Sequence, residues 1–128
     1  MNLIDSHVLI WWWIAPQKVS RRVRTKLDSD RASIFVSAAT AWEIATKQRF
    51  GKLRLPPAIL DTFEQEVLAE GWNLLPIDAR AARIAGSLNW THRDPFDRVL
   101  AAQAMNEGFT LVSRDPVFAT LPGLKILW

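Results

Sequence analysis

Five short apolar runs recur along the chain: NLID (2–5), SIFVS (33–37), NLLPI (73–77), TLVS (110–113) and LKILW (124–128). They are rich in Val, Ile and Leu, as strands covered on both faces are. Longer stretches with helical patterning lie between them, predicted at 19–29, 38–50, 57–70, 79–86 and 95–107. In the last, Phe96, Val99, Leu100, Gln103 and Ala104 share one helical face. Gly51, Gly71 and Gly108 stand where helix stops are expected, and Pro56-Pro57 opens the third helix. Strands alternating with helices predict an α/β fold, with a parallel sheet and helices on both faces.

The 128 residues are the size of one domain, expected to span 1–128. With 49% hydrophobic and 23% charged residues, the chain has the composition of a compact protein rather than a disordered one. It contains no cysteine, which excludes disulfides and thiolate metal sites. The opening MNLIDSHVLIWWWIAP lacks a basic leader region and a small-residue cleavage site. Its apolar run from Val8 to Ala15 falls far short of the ~20 residues that span a membrane. A cytoplasmic protein without membrane association is therefore expected. Net charge is only +3, from 16 basic and 13 acidic residues. The charges are nevertheless segregated: KVSRRVRTK (18–26) and KQRFGKLR (47–54) are basic, while several acids sit beside the apolar runs.

Open parallel sheets bind ligands beyond the carboxyl ends of their strands, near the point where strand order reverses. Asp5 closes the first strand, and Glu43 lies on the helix that follows the second. Asp94 and Asp97 open the helix feeding the fourth strand, and Asp115 follows that strand by two residues. Four segments thus bring acids towards one rim. Local explanations compete for most of them. DPFD (94–97) is a good helix start, with Asp94 as cap, Pro95 at the first helical position and Asp97 favouring the dipole. TAWE (40–43) matches a capping box unless the helix begins at Ser37. SRDPVF (113–118) reads as a turn. Asp5 is hardest to explain locally, because a carboxylate ending an apolar strand is costly to bury unless paired or on a metal.

One divalent cation accounts for all four segments. Mg2+ takes oxygen ligands and keeps several waters, so one or two carboxylates suffice while others act through water. Without it, grouped carboxylates repel one another and hold protons more tightly. His7 and His92 are weaker candidates as ligands, since Mg2+ and Mn2+ favour carboxylate.

Taken in order, LIDSHVLIWW, FVSAATAWEIATKQRFGKL, HRDPFDRVLAAQA and GFTLVSRDPVF resemble the PIN-domain ribonucleases, and more narrowly the VapC-type toxins of bacterial toxin–antitoxin pairs. The resemblance runs from Asp5 to Trp128. It implies a three-layer α/β/α sandwich around a mostly parallel five-stranded sheet. It also implies RNA hydrolysis with Mg2+ or Mn2+, inhibition by a small cognate antitoxin, and a homodimer. Asp5, Glu43, Asp97 and Asp115 match the four acids of the family pattern, as catalytic and metal-holding residues. Asp94 accompanies them as a cap, and Ser6 and Ser113 occupy positions where a hydroxyl supports the site.

Arg21, Arg22, Arg24, Lys47, Arg49 and Arg98 are the basic candidates for RNA contact, against the plainer reading of solvated surface charge. WWW (11–13) cannot all stack on one ligand, because adjacent helical residues point in different directions. Packing or partner contact is expected for these rings. FGKLRLPPAIL (50–60) reads as an exposed apolar element that an antitoxin could cover. A haloacid-dehalogenase-type phosphatase is disfavoured because His7 stands where it needs a second aspartate. A response-regulator receiver is disfavoured by the lack of a suitable lysine after the fourth strand. A non-catalytic protein of the same fold and a nuclease acting on DNA stay open as alternatives.

Overall fold

The computed structural model describes residues 1–128. Strand β1 (Asn2–Ile4) runs straight into helix α1 (Ser6–Ile14), with only Asp5 between them. The Val8 N–H donates to Asp5 Oδ1 at 2.9 Å, so the residue that ends the strand also caps the helix. Helix α1 is not among the predicted helices. Its sequence SHVLIWWWI is apolar around most of its circumference, which erases the periodicity that marks 95–107.

A 3₁₀ turn (Pro16–Lys18) leads to α2 (Arg21–Leu27), β2 (Ile34–Ser37) and α3 (Ala38–Arg49). Then come α4 (Pro57–Asp61), α5 (Phe63–Ala69), β3 (Asn73–Leu75) and α6 (Ala79–Ser87). The chain finishes with α7 (Pro95–Glu107), β4 (Thr110–Val112), a 3₁₀ turn (Pro116–Thr120) and β5 (Ile126–Leu127). The helix predicted at 57–70 is two helices, broken at Thr62, whose hydroxyl donates to the Ala58 carbonyl at 2.7 Å. Helix α7 stops at Gly108, whose φ of 70° lies in the left-handed region that favours glycine, and the chain turns there into β4.

The sheet order is β3-β2-β1-β4-β5, and every pair is parallel. The chain builds outwards from β1 through β2 to β3, then returns to the other side of β1 for β4 and β5. The order therefore reverses between β1 and β4, and the crevice at their carboxyl ends is where such a sheet binds ligands. Register and the two-residue strand period set the layers. Leu3 lies opposite Leu111, and both join Leu100, Ala104, Phe109 and Phe118 on one face. Ile4 lies opposite Val36 and Val112, and these join Val8, Val23, Ile44 and Val67 on the other. Each of these valine, leucine, isoleucine and phenylalanine side chains contributes about 1.5–3 kcal/mol by leaving water. The result is the expected three-layer α/β/α sandwich, with a sheet that is wholly parallel.

The three tryptophans diverge as expected and pack on different partners: Trp11 on Trp128, Trp12 on Trp72 and Trp13 on Phe63, with ring centroids 5.5–5.9 Å apart. The expected apolar element at 50–60 is largely exposed, and only its leucines turn towards the core. Gln48 exchanges two hydrogen bonds with the backbone of Leu55, burying it, and Leu53 and Leu60 pack on the core, which leaves Phe50 as the widely exposed ring. No helix is long and apolar enough to cross a membrane.

Candidate active site

Asp5 is only 3% exposed, and both carboxylate oxygens are engaged. Oδ1 caps α1, and Oδ2 accepts the Ser113 hydroxyl. Ser113, at the end of β4, is itself buried, and its Oγ accepts the Asp115 N–H at 3.0 Å. The switch point of the sheet is thus cross-linked by an aspartate and a serine. Burial pushes the Asp5 carboxyl up, against the hydrogen bonds from Ser113 and Val8 and the charge of His7, while Glu43 adds to the push.

Helix α3 begins at Ala38 because the Ser37 hydroxyl accepts the Ala39 N–H at 3.0 Å. The capping-box reading of TAWE therefore fails, and Glu43 sits inside the helix with 3% of its surface exposed. Lys47 Nζ donates to Glu43 Oε2 at 2.5 Å, but Oε1 is buried without a hydrogen-bond partner. One turn earlier on the same helix face, the Thr40 hydroxyl is also buried and unpartnered. Leaving such an atom unsatisfied costs about 1–3 kcal/mol.

Asp94 accepts the Asp97 N–H at 3.0 Å and caps α7, with Pro95 at the first helical position. Asp97 is thereby relieved of capping, and its Oδ2 pairs with His92 Nε2 at 2.7 Å. Burial pushes the Asp97 carboxyl up to about 6, against the His92 hydrogen bond and with help from Asp94 and Glu43. Burial opposes the charge of Lys47, yet the hydrogen bond it donates to Glu43 and the charges of Glu43, Asp94 and Asp97 together raise its pKa. Glu43 acts on both Asp5 and Asp97 and is the common member of the group.

Asp115 is different. It is exposed, and its Oδ1 accepts the Val117 N–H at 2.9 Å, so the turn reading of SRDPVF describes that oxygen. It nonetheless stands with Asp5, His7, Trp11 and Arg114 around an open pocket of about 320 Å³. Ser6 is buried and lines a neighbouring pocket of about 460 Å³ together with Glu43 and Lys47.

No three Asp, Glu or His side chains converge into a ready-made ligand cage. The donor set still suits a hard divalent cation. It is all oxygen, two of its carboxyls hold protons unusually tightly, and the third keeps an orphan oxygen.

Two of the basic candidates face inwards. Arg98, expected on nucleic acid, instead donates to the carbonyls of Ala85, Leu88, Trp90 and His92 at 2.7–2.9 Å. With four of its five N–H groups so committed, this guanidinium cannot grip a phosphate through two parallel hydrogen bonds, and that expectation is withdrawn. Lys47 is bound to Glu43. Arg49 lies over the Phe50 ring at 4.5 Å, and Arg21 and Arg22 are exposed. Sequence reasoning missed Thr40, the inward turn of Lys47 and the clamp made by Arg98. Glu43 and Lys47, four apart on one helix, offered a readable signal for the second; nothing in the sequence marked the other two.

The PIN domain family model matches residues 3–124. Ribonuclease VapC22 of Mycobacterium tuberculosis is 31% identical over 115 residues, which are 88% of this chain and 85% of that protein. Among solved structures, DNA-bound VapBC from Salmonella typhimurium superposes with a TM-score of 0.73 at 18% identity, covering 98% of this chain and 96% of that one. FitAcB from Neisseria gonorrhoeae superposes with a TM-score of 0.70 at 22% identity, covering 100% and 97%. These two structures are evidence of shared fold.

Proposed function

The chain belongs to the PIN-domain family, and on that premise we propose that it is a metal-dependent endoribonuclease, the toxin of a toxin–antitoxin pair. The observation that carries the reading is the placement of Glu43: buried, with one oxygen unpartnered, and electrostatically linked to both Asp5 and Asp97. Asp5, Glu43 and Asp97 would hold Mg2+ or Mn2+, and Asp115 would complete the site. When bound, such a cation relieves the repulsion among the carboxylates, polarises a phosphoryl oxygen and makes hydroxide available near neutral pH.

The chain's own residues prepare that site. Ser113 and the Val8 N–H hold Asp5 in one orientation. Lys47 fixes one oxygen of Glu43 and leaves the other available, and His92 does the same for Asp97. The basic and apolar surface around the pockets supports two further parts of the reading, an RNA strand as substrate and a small antitoxin that covers the site. A homodimer is the proposed state of the free toxin.

The test is incubation of purified protein with total cellular RNA, with and without Mg2+. Cleavage that requires the metal and leaves no 2′,3′-cyclic phosphate supports hydrolysis by water; metal-independent cleavage, or none, removes the reading. The lack of a preformed cage favours one competitor, a non-catalytic interaction protein of this fold. Failure of the protein to bind Mn2+ in titration calorimetry would select it. A matched DNA substrate in the cleavage assay separates the remaining alternative.

A further inference from the structure

Helix α2 carries four cations in seven residues, and the fold sorts them to two ends of the sheet. Arg22 and Lys26 line a pocket with Asn2 and Thr110, the first residues of β1 and β4, at the end away from the acids. Arg21 and Arg24 instead line a groove of about 780 Å³ with Lys18, Asp28, Arg114 and Trp128, beyond the carboxyl ends of β4 and β5. Four cationic side chains against one acidic side chain make this groove positive. Arg24 also steadies it, donating to the Pro16 carbonyl at 2.8 Å and fixing the turn that carries Lys18.

Arg114 joins this groove to the acids. It lines the basic groove and also the pocket shared by Asp5, His7, Trp11 and Asp115. Its neighbours in sequence are Ser113, which holds Asp5, and Asp115. Its guanidinium is exposed, lies over the Trp11 ring at 6.0 Å, and makes no ion pair with either aspartate. A guanidinium left in this way, beside carboxylates that repel a polyanion, is placed to receive a phosphate by two parallel hydrogen bonds.

We propose that the groove of Lys18, Arg21, Arg24 and Arg114 carries the phosphodiester backbone of single-stranded RNA to the carboxylates, with Arg114 holding a phosphate next to the one cleaved. This rests on the nuclease reading above. The proposal splits the charges of α2: Arg21 and Arg24 face substrate, and Arg22 does not.

The experiment measures binding of a short oligouridylate across a salt series, in an Asp97→Asn background so that cleavage does not intrude. Loss of one phosphate contact on a single strand lowers the slope of log K against log salt by about 0.7. Arg114→Ala and Arg21→Ala should each lower it by about that amount, while Arg22→Ala, which removes the same charge, should leave it unchanged. All three positions are exposed, and unchanged melting temperatures would show that each variant folds. Equal effects at Arg22 and Arg114 would overturn the groove, as would no effect at Arg114. Cleavage by the wild-type chain reports separately: RNA that binds through this groove without being cut would sink the nuclease reading and leave the groove standing.

Discussion

The Ser113 hydroxyl donates to Asp5 Oδ2, joining the ends of β4 and β1 across 108 positions of sequence. The same serine oxygen receives the Asp115 N–H, so one side chain orients two of the acids at once. Ser113→Ala leaves a buried carboxylate oxygen without its donor. The expected cost is about 1–3 kcal/mol of stability, with a further upward push on the Asp5 carboxyl and weaker metal-dependent cleavage. Chemical denaturation alongside an RNA cleavage assay checks both effects; a variant as stable and active as the wild type would show that the serine is incidental.

The raised pKa of Asp97 gives the metal-free protein a characteristic pH dependence. Its carboxyl titrates near 6 in the folded state and near the ordinary value of about 3.9 when unfolded. Between these values the folded state keeps a proton that the unfolded state has lost. The stabilisation is complete below the unfolded pKa and disappears as pH rises through the folded one. Thermal melts in a chelator should therefore lose on the order of 2–3 kcal/mol from this group between about pH 4 and 6. Asp97→Asn should remove that component. An identical slope in the variant would assign it elsewhere.

Arg98 predicts a structural defect rather than a binding defect. Its four carbonyl partners fold residues 85–92 against α7 and bring His92 to Asp97. Arg98→Ala should cost about 2–4 kcal/mol, and Arg98→Lys should recover little, because an ammonium cannot reach four carbonyls in the geometry of a planar fork. The salt slope of RNA binding should stay unchanged in whatever fraction folds. Denaturation curves for the two variants, read beside that slope, decide the matter.

Much of this architecture was legible in the chain. The apolar runs at 2–5, 33–37 and 110–113 became the three central strands, because such runs have no other way to bury both faces. The outer runs were read too long: β3 and β5 are edge strands with a single partner, and pairing ends after three and two residues. Helix α1 is not legible in the sequence because an apolar circumference carries no period. Asp5, Glu43 and Asp97 stood out as candidates because each follows a strand or opens a helix on the side where the sheet's carboxyl ends lie. Arg98 was not, since the residue after a site acid looks the same whether it faces RNA or four backbone carbonyls. That choice depends on where the 85–92 segment returns, which is a tertiary property.

If Asp5, Glu43 and Asp97 together hold a divalent cation, loss of the Glu43 charge should abolish binding although the other two acids remain. Titration calorimetry with Mn2+ on the wild type and Glu43→Gln measures this, with the melting temperature of each recorded. The wild type should bind Mn2+ measurably, and a Glu43→Gln protein that melts no lower in the absence of metal should not. Equal Mn2+ affinity in the two proteins would contradict it.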